Sequence, residues 1–326
     1  MWKRLYTALS AVLTFSVLAM AQSGNGIVKG TIMDATGSSI SGASVRLTRI
    51  ATKSLRSAVT AEGGTYYFGE IAPGQYSVTV EHAGFKRWTG QFTVQVGQTA
   101  TVDAPMQVGD VSSSVEVTDA APVITTEGMQ ISDVKDSVRI RQLPLNGRNV
   151  SNLFNLTAGV EGGGAARVNG MKVGSMEILQ DGVSIVDRFS GGISRIQPGL
   201  DTVQEFRIET NGSNARYSRP ATVTLITRSG TNNFHGAAFE THRNNSGGLR
   251  ARARQDGNTS AKLIRNEFGV SGGGPVLIPK LYNGKNKTFW FAAYEGLRQS
   301  QASFYDDVVP TEAMWNGNFN LSLIHI

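Results

Sequence analysis

The 326 residues suffice for two or three domains, and an apolar content of 40% is ordinary for a chain that builds a core. A formal net charge of +6 is modest, and the absence of cysteine excludes disulfide frameworks, cysteine nucleophiles, Cys-zinc sites and lipid attachment through cysteine. Glycine reaches 38 residues with no collagen-like period, beside only 9 prolines, which points to β-structure rich in turns.

The first segment, "MWKRLYTALSAVLTFSVLAMAQSG", places Lys3 and Arg4 before an apolar run that ends in Ala19-Met20-Ala21. A charged start, a short apolar stretch and a small-residue site predict a cleaved export signal over 1–21, cut between Ala21 and Gln22. The run is too short, and too interrupted by Ser and Thr, to span a membrane well. No other apolar run reaches spanning length, so any further crossing must be made by strands.

From 22 to 108 apolar and polar residues alternate. "ASVRLTRI" sets Val45 and Leu47 against Arg46 and Thr48, and "GQYSVTVE" sets Tyr76, Val78 and Val80 against Ser77, Thr79 and Glu81. Turn clusters such as "DATGSSISG" and "TAEGGTY" separate these runs, which predicts a β-sandwich. His82, just before the "AGF" turn, is expected to face solvent. The chain holds 4 histidines, and none has a second His or a Glu at zinc-ligand spacing. No Ser/His/Asp arrangement or carboxylate-pair motif is visible, so neither an enzyme nor a cofactor is expected. "GVEGGGAAR" lacks the Gly-Lys-Ser/Thr that a phosphate loop requires.

From 109 to 231 the pattern is mixed. A polar linker holds one strand-like hexamer, Ser114-Val115-Glu116-Val117-Thr118-Asp119. "SDVKDSVRIRQL" has helical spacing, with Ser132 or Asp133 as N-cap and Val134, Val138 and Ile140 near one face. Pro144 should end it. Asn146-Gly147-Arg148-Asn149 predicts a tight turn, followed by a short helix with Val150, Leu153, Phe154 and Leu156 that stops at Gly159. The Asn146–Asn149 stretch fits either a turn plus helix cap or a direct substrate contact. Asn169-Gly170 and Asp181-Gly182 predict turns with positive φ between strands. Together these elements describe a small α+β domain.

From 232 to 320 come three strand candidates, "NNFHGAAFETHR", "NEFGVSGGGPV" and "NKTFWFAAYEGLRQS". Each is about the length of a tilted transmembrane strand, roughly nine to eleven residues. Phe234, Gly236 and Ala238 fall on one parity of the first, and His235, Ala237 and Phe239 on the other. The long stretch after Arg243 carries Arg250, Arg252, Arg254, Lys262 and Arg265. No aromatic is interleaved for stacking, so it reads as a solvated loop and no nucleic-acid partner is expected. A long loop and then a short "LIPKLYNGKN" connection is the alternation of a membrane barrel.

Several of these stretches resemble known families. "GTIMDATGSSISGASVRL", followed by "GGTYYFGEIAPGQYSVTVEHAGF", resembles the carboxypeptidase regulatory-like domain, a transthyretin-like sandwich without catalytic machinery. "LPLNGRNVSNLFNLTAGV", "VNGMKVGSMEILQDGVS" and "PGLDTVQEFRIETNGSNARYSRPATVTLITRSGTNNFHG", in this order, resemble the plug of TonB-dependent outer-membrane receptors of the Oar-like group. "YSRPATVTLIT" departs from the group, which usually carries a glycine run there.

The resemblance implies a mainly β chain: a sandwich, a plug over 109–231 and the start of an outer-membrane barrel over 232–320, with Ser229-Gly230-Thr231 as plug-barrel boundary. It implies energised uptake of an unidentified bulky solute, with a TonB-type inner-membrane protein and outer-membrane lipid as partners. Ser114–Asp119 is then either the partner's box or a plain linker strand. Such barrels close with roughly 22 strands, so this chain is expected to be an N-terminal fragment. The last residues, Leu321–Ile326, match one frame of a transposon-end sequencing adapter and are expected to be artefact. The competing expectation is an exported adhesion or carbohydrate-binding protein that works through its sandwich, with Tyr66, Tyr67, Tyr76 and Trp88 as the candidate aromatics.

Overall fold

The structure is a computed structural model that describes residues 24–110, 114–117, 131–143, 145, 147–194, 197–212, 217–245, 262–302 and 309–319. The expected cleavage site at Ala21 and Gln22, Thr118, Asp119, Asn146, most of the basic loop and Leu321–Ile326 lie outside these residues.

Period-two alternation builds the first domain. Its strands are β1 (Gly26–Asp34), β2 (Ser44–Arg49), β3 (Leu55–Val59), β4 (Thr65–Ile71), β5 (Gly74–Glu81), β6 (Arg87–Val94), β7 (Thr99–Thr101) and β8 (Ala104–Met106). A further strand, β9 (Ser114–Val117), follows them. One sheet runs β4-β1-β7 with β8 also on β1, and the other runs β3-β2-β5-β6-β9. Inward positions of both sheets, among them Val28, Ile32, Leu47, Phe68, Val78 and Phe92, form one buried cluster. Each such side chain contributes roughly 1.5–3 kcal/mol through burial.

The sequence places β9 on a polar linker, whereas here it is the parallel edge strand of the sandwich. Arg87, Trp88, Thr89 and Gly90 of β6 register with Ser114, Val115, Glu116 and Val117.

The middle domain holds β10 (Ile131–Asp136), α1 (Ser137–Gln142), a 3₁₀ turn (Val150–Leu156), β11 (Val160–Glu161), β12 (Arg167–Val168), β13 (Met176–Gln180), β14 (Val183–Ser184), β15 (Val203–Asn211) and β16 (Ala221–Thr227). Its main sheet runs β10-β15-β16-β13-β14. Two expectations fail here. Residues 131–136 are strand rather than helix, because β15 supplies an antiparallel partner from Ile131↔Asn211 to Asp136↔Glu205. The helix starts only where the Asp136 side chain accepts from the N–H groups of Val138 and Arg139, so Asp136 is the cap, not Ser132 or Asp133. Val138 is therefore exposed, and Ile140 is the residue of α1 that enters the core. The second expected helix is a 3₁₀ turn over Val150–Leu156; Leu156 is exposed, while Val150, Leu153 and Phe154 pack inside.

The Asp181-Gly182 expectation agrees with the backbone. These residues have φ of +47° and +88° and close the β13–β14 hairpin, in which Gln180 pairs with Val183.

The last segment contains β17 (His235–Asn244), β18 (Leu263–Pro275), the small hairpin β19 (Leu277–Ile278) with β20 (Tyr282–Asn283), β21 (Phe289–Gln301) and the one-turn helix α2 (Glu312–Trp315). The long strands form a sheet in the order β17-β18-β21. The chain divides into two compact units: Met1–Ala238 with Gly269–Glu295, and Phe239–Phe268 with Gly296–Ile326. In the second unit, the His242 ring nitrogen Nδ1 lies 2.6 Å from Asn266 Oδ1, and the Leu263 N–H donates to Asn245 Oδ1 at 2.7 Å.

Candidate functional site

In the first unit an ion cluster joins the middle domain to β21. Asn149 Oδ1 accepts the Ser151 N–H at 2.8 Å and so caps the 3₁₀ turn. That cap places Arg148 beside Asp201, with Nη2 to Oδ2 at 3.0 Å. Glu295 of β21 comes next: its Oε1 lies 3.9 Å from Arg148 Nη2 and accepts the Asp201 N–H at 3.2 Å. Asp201 is 4% exposed, so its charge depends on these partners. A Cβ on Gly199 would stand 2.3 Å from the Glu295 carboxyl carbon, so a side chain there would push this carboxylate from its present position.

Trp290, Ala292 and Tyr294 occupy the face of β21 opposite to Glu295, because strand side chains alternate. Trp290 and Tyr294 are 43% and 63% exposed. One face of the strand therefore carries Trp290 and Tyr294, and the other carries Phe289, Phe291 and the Glu295 that pairs with the middle domain.

Asp181 fastens the β13–β14 hairpin to the end of β16. Its Oδ1 accepts the Thr227 N–H at 2.9 Å and its Oδ2 accepts the Thr227 hydroxyl at 2.7 Å. The chain then passes through Ser229-Gly230-Thr231 to β17. A Cβ on Gly230 would lie 2.3 Å from the Trp290 carbonyl oxygen, so this segment runs against β21 backbone to backbone. Where a glycine run is expected before β16, Arg219 donates to the Met176 carbonyl at 2.9 Å, and Ser218 donates to Glu177 at 2.8 Å.

A second polar contact ties the sandwich to the middle domain. Glu205 Oε1 accepts the Val96 N–H at 3.0 Å, and Arg207 Nη1 donates to the Val96 carbonyl at 2.7 Å. One peptide residue is thus held at both its polar groups. Burial raises the Glu205 carboxyl to about 7, against the lowering effects of the Val96 N–H and of Arg207. Glu205, Arg207 and Glu209 share one parity of β15 and read in sequence as a solvent face. The sandwich covers the Glu205 and Arg207 positions, which sequence reasoning missed, and alternating charges on a strand carry no signal to distinguish the two outcomes.

Of the sandwich aromatics, Tyr66, Tyr76 and Trp88 are 4%, 6% and 3% exposed, and the Tyr66 hydroxyl donates to the Val102 carbonyl at 2.6 Å. They are core residues. Tyr67, at 61%, stands exposed without the other three, so these side chains form no stacking platform for a sugar.

Among the described residues no three His, Asp or Glu side chains gather into a metal site. No described helix is long and apolar enough to cross a membrane, which leaves strands untouched as a route.

Residues 27–107 match the carboxypeptidase regulatory-like domain, and residues 226–325 match the outer membrane beta barrel domain. The TonB-dependent transporter Oar of Myxococcus xanthus is 26% identical over 318 residues, covering 92% of this chain and 30% of the transporter. The chain is thus similar to that transporter along most of its own length and spans less than a third of the relative's. Among solved structures, the dioxygenase domain of a dioxygenase–carbohydrate-binding fusion from Streptomyces sp. SirexAA-E is 13% identical, covers 28% of this chain and 84% of that one, and has a TM-score of 0.24. Catechol 1,2-dioxygenase from Pseudomonas arvilla C-1 is 15% identical, covers 32% and 59%, and has a TM-score of 0.24. Likenesses this low say nothing about this chain's chemistry.

Proposed function

We propose that this chain is the N-terminal part of an outer-membrane transporter energised by a TonB-type protein, with residues 109–231 as plug and the strands after Ser229-Gly230-Thr231 as the start of its barrel. The observation that carries the reading is the Arg148–Asp201–Glu295 cluster, which ties the middle domain to a barrel-family strand through separable polar contacts rather than an apolar core. The Trp290–Tyr294 face of β21 then meets lipid, and the Glu295 face meets the plug. A solute path opens when a pull on the plug separates this cluster. The solute is bulky and of unassigned chemistry; its contacts belong to the rest of the barrel. In this reading an export signal over 1–21 takes the chain out of the cytoplasm, and the sandwich and the start of the plug face the periplasm.

The pulling handle in this reading is Ser114–Asp119. Among the described residues β9 ends its sheet, and in this reading the partner's strand adds along its outer side by main-chain pairing. The handle therefore sits on the sandwich, and force applied to it loads the β6–β9 ladder first.

The test is Val117→Pro in the full-length protein, since proline removes one N–H and bends the edge. The expected result is lost binding to the TonB-type partner, with the protein still in the outer membrane as a heat-modifiable barrel. Partner binding that is unchanged removes the box assignment, and a soluble secreted product removes the transporter reading.

A further inference from the structure

A cavity of about 300 Å³ in the first unit is bordered by sandwich, middle domain and the start of β17. Its lining includes Arg49 from the sandwich, Ser137 and Arg228 from the middle domain, and Ser229, Thr231 and His235 beyond it. No carboxylate is among the described residues that line it.

Both arginines are fixed, and both are incompletely used. Arg49 Nη2 donates to the Pro73 carbonyl at 3.0 Å, and that carbonyl also accepts from Gln204 Nε2 at 3.3 Å. Arg228 Nε donates to the Val203 carbonyl at 3.3 Å, and its own N–H donates to the Thr202 carbonyl at 2.7 Å. Yet Arg49 Nε and Arg228 Nη2 are shielded from solvent and have no hydrogen-bond partner. A buried donor left unmade is costly, more so on a charged group. The two guanidinium groups come from different domains and border one cavity whose described lining holds no carboxylate, so the cavity favours negative charge.

We propose that this cavity binds a small oxyanion of phosphate's size and charge, held between the Arg49 and Arg228 guanidinium groups, with Ser137 and Ser229 in the lining to offer hydroxyls to its remaining oxygens. Guanidinium groups suit this role because their planar N–H pairs match the spacing of oxyanion oxygens. Arg49 also borders a neighbouring cavity, but Glu70 lines that one and would repel an anion. The bound ion bridges sandwich and middle domain, so occupancy stabilises their contact by mass action. The site does not depend on the transport reading.

The experiment is titration of inorganic phosphate into the detergent-extracted full-length protein at constant ionic strength, with chloride as control. Heat of binding and melting temperature are both recorded. The expected result is saturable phosphate binding with a rise in melting temperature that chloride does not give. Arg228→Gln and Arg49→Gln should each weaken binding at least tenfold. Arg49→Lys, which keeps the charge but loses the planar guanidinium, should weaken it as well, and its melting temperature in chloride separates lost phosphate binding from the lost Nη2 contact to Pro73. An absence of saturable binding to the parent protein, or full-strength binding to both glutamine variants, overturns the proposal.

Discussion

The Glu205 carboxylate accepts the Val96 backbone N–H at 3.0 Å, across the contact between sandwich and middle domain. Burial raises this carboxyl from its usual 4.5 to about 7. The folded state therefore binds a proton more tightly than the unfolded one. Between about pH 4.5 and 7 the folded chain carries more protons, so stability falls as pH rises through that window and levels off above it. At about 1.4 kcal/mol per pKa unit the effect is at most about 3.5 kcal/mol. Glu205→Gln should flatten the dependence of melting temperature on pH between 5 and 8, and should match or exceed the parent stability at pH 8. A slope equal to the parent's would show that other groups set it.

Arg148 neutralises Asp201, which is 4% exposed. Arg148→Met leaves that carboxylate without its cation. The expected loss is about 2–3 kcal/mol, below the figure for a fully buried pair because Arg148 is partly exposed. Glu295→Gln keeps an acceptor for the Asp201 N–H and lies 3.9 Å from Arg148, so it should cost less than about 1 kcal/mol. A double-mutant cycle on the full-length protein, read by chemical denaturation, measures the coupling.

Gly230 runs against the Trp290 backbone, where a Cβ would lie 2.3 Å from the carbonyl oxygen. Backbone cannot swing aside as a side chain does. Gly230→Ala should therefore cost more than about 3 kcal/mol and reduce the heat-modifiable, folded fraction in membranes. Gly170→Ala is the control for positive φ alone: φ there is +74° and nothing lies near its Cβ. It should cost about 1–2 kcal/mol, from the left-handed backbone rather than from collision.

Trp88 and Tyr67 separate a core role from a ligand-binding one. Trp88→Ala should destabilise the sandwich by about 3–5 kcal/mol through the cavity left behind, whereas Tyr67→Ala should stay within about 0.5 kcal/mol. Glycan-array binding that vanished with Tyr67→Ala, in an otherwise stable protein, would revive the carbohydrate-binding alternative.

The legible parts of this chain are those fixed by short-range chemistry. Val45, Leu47, Val78 and Val80 alternate with polar neighbours and are buried in the sandwich. Asp181-Gly182 takes positive φ because a two-residue hairpin requires it. The illegible parts depend on a distant partner. "SDVKDSVRI" satisfies both a helical and an extended reading; pairing with β15 resolves residues 131–136 as strand, and Asp136 starts the helix late. The "SVEV" hexamer start reads as linker until β6 offers it a parallel edge.

By itself the sequence determined where sandwich strands alternate and where the chain turns, since those depend on neighbours a few positions away. Only the tertiary structure decided which charges are buried and with whom. Arg207 meets Val96 across 111 positions, and the Asp201 N–H meets Glu295 across 94. Local periodicity is blind at such separations, because a charged side chain on a strand looks the same whether water or another domain covers it.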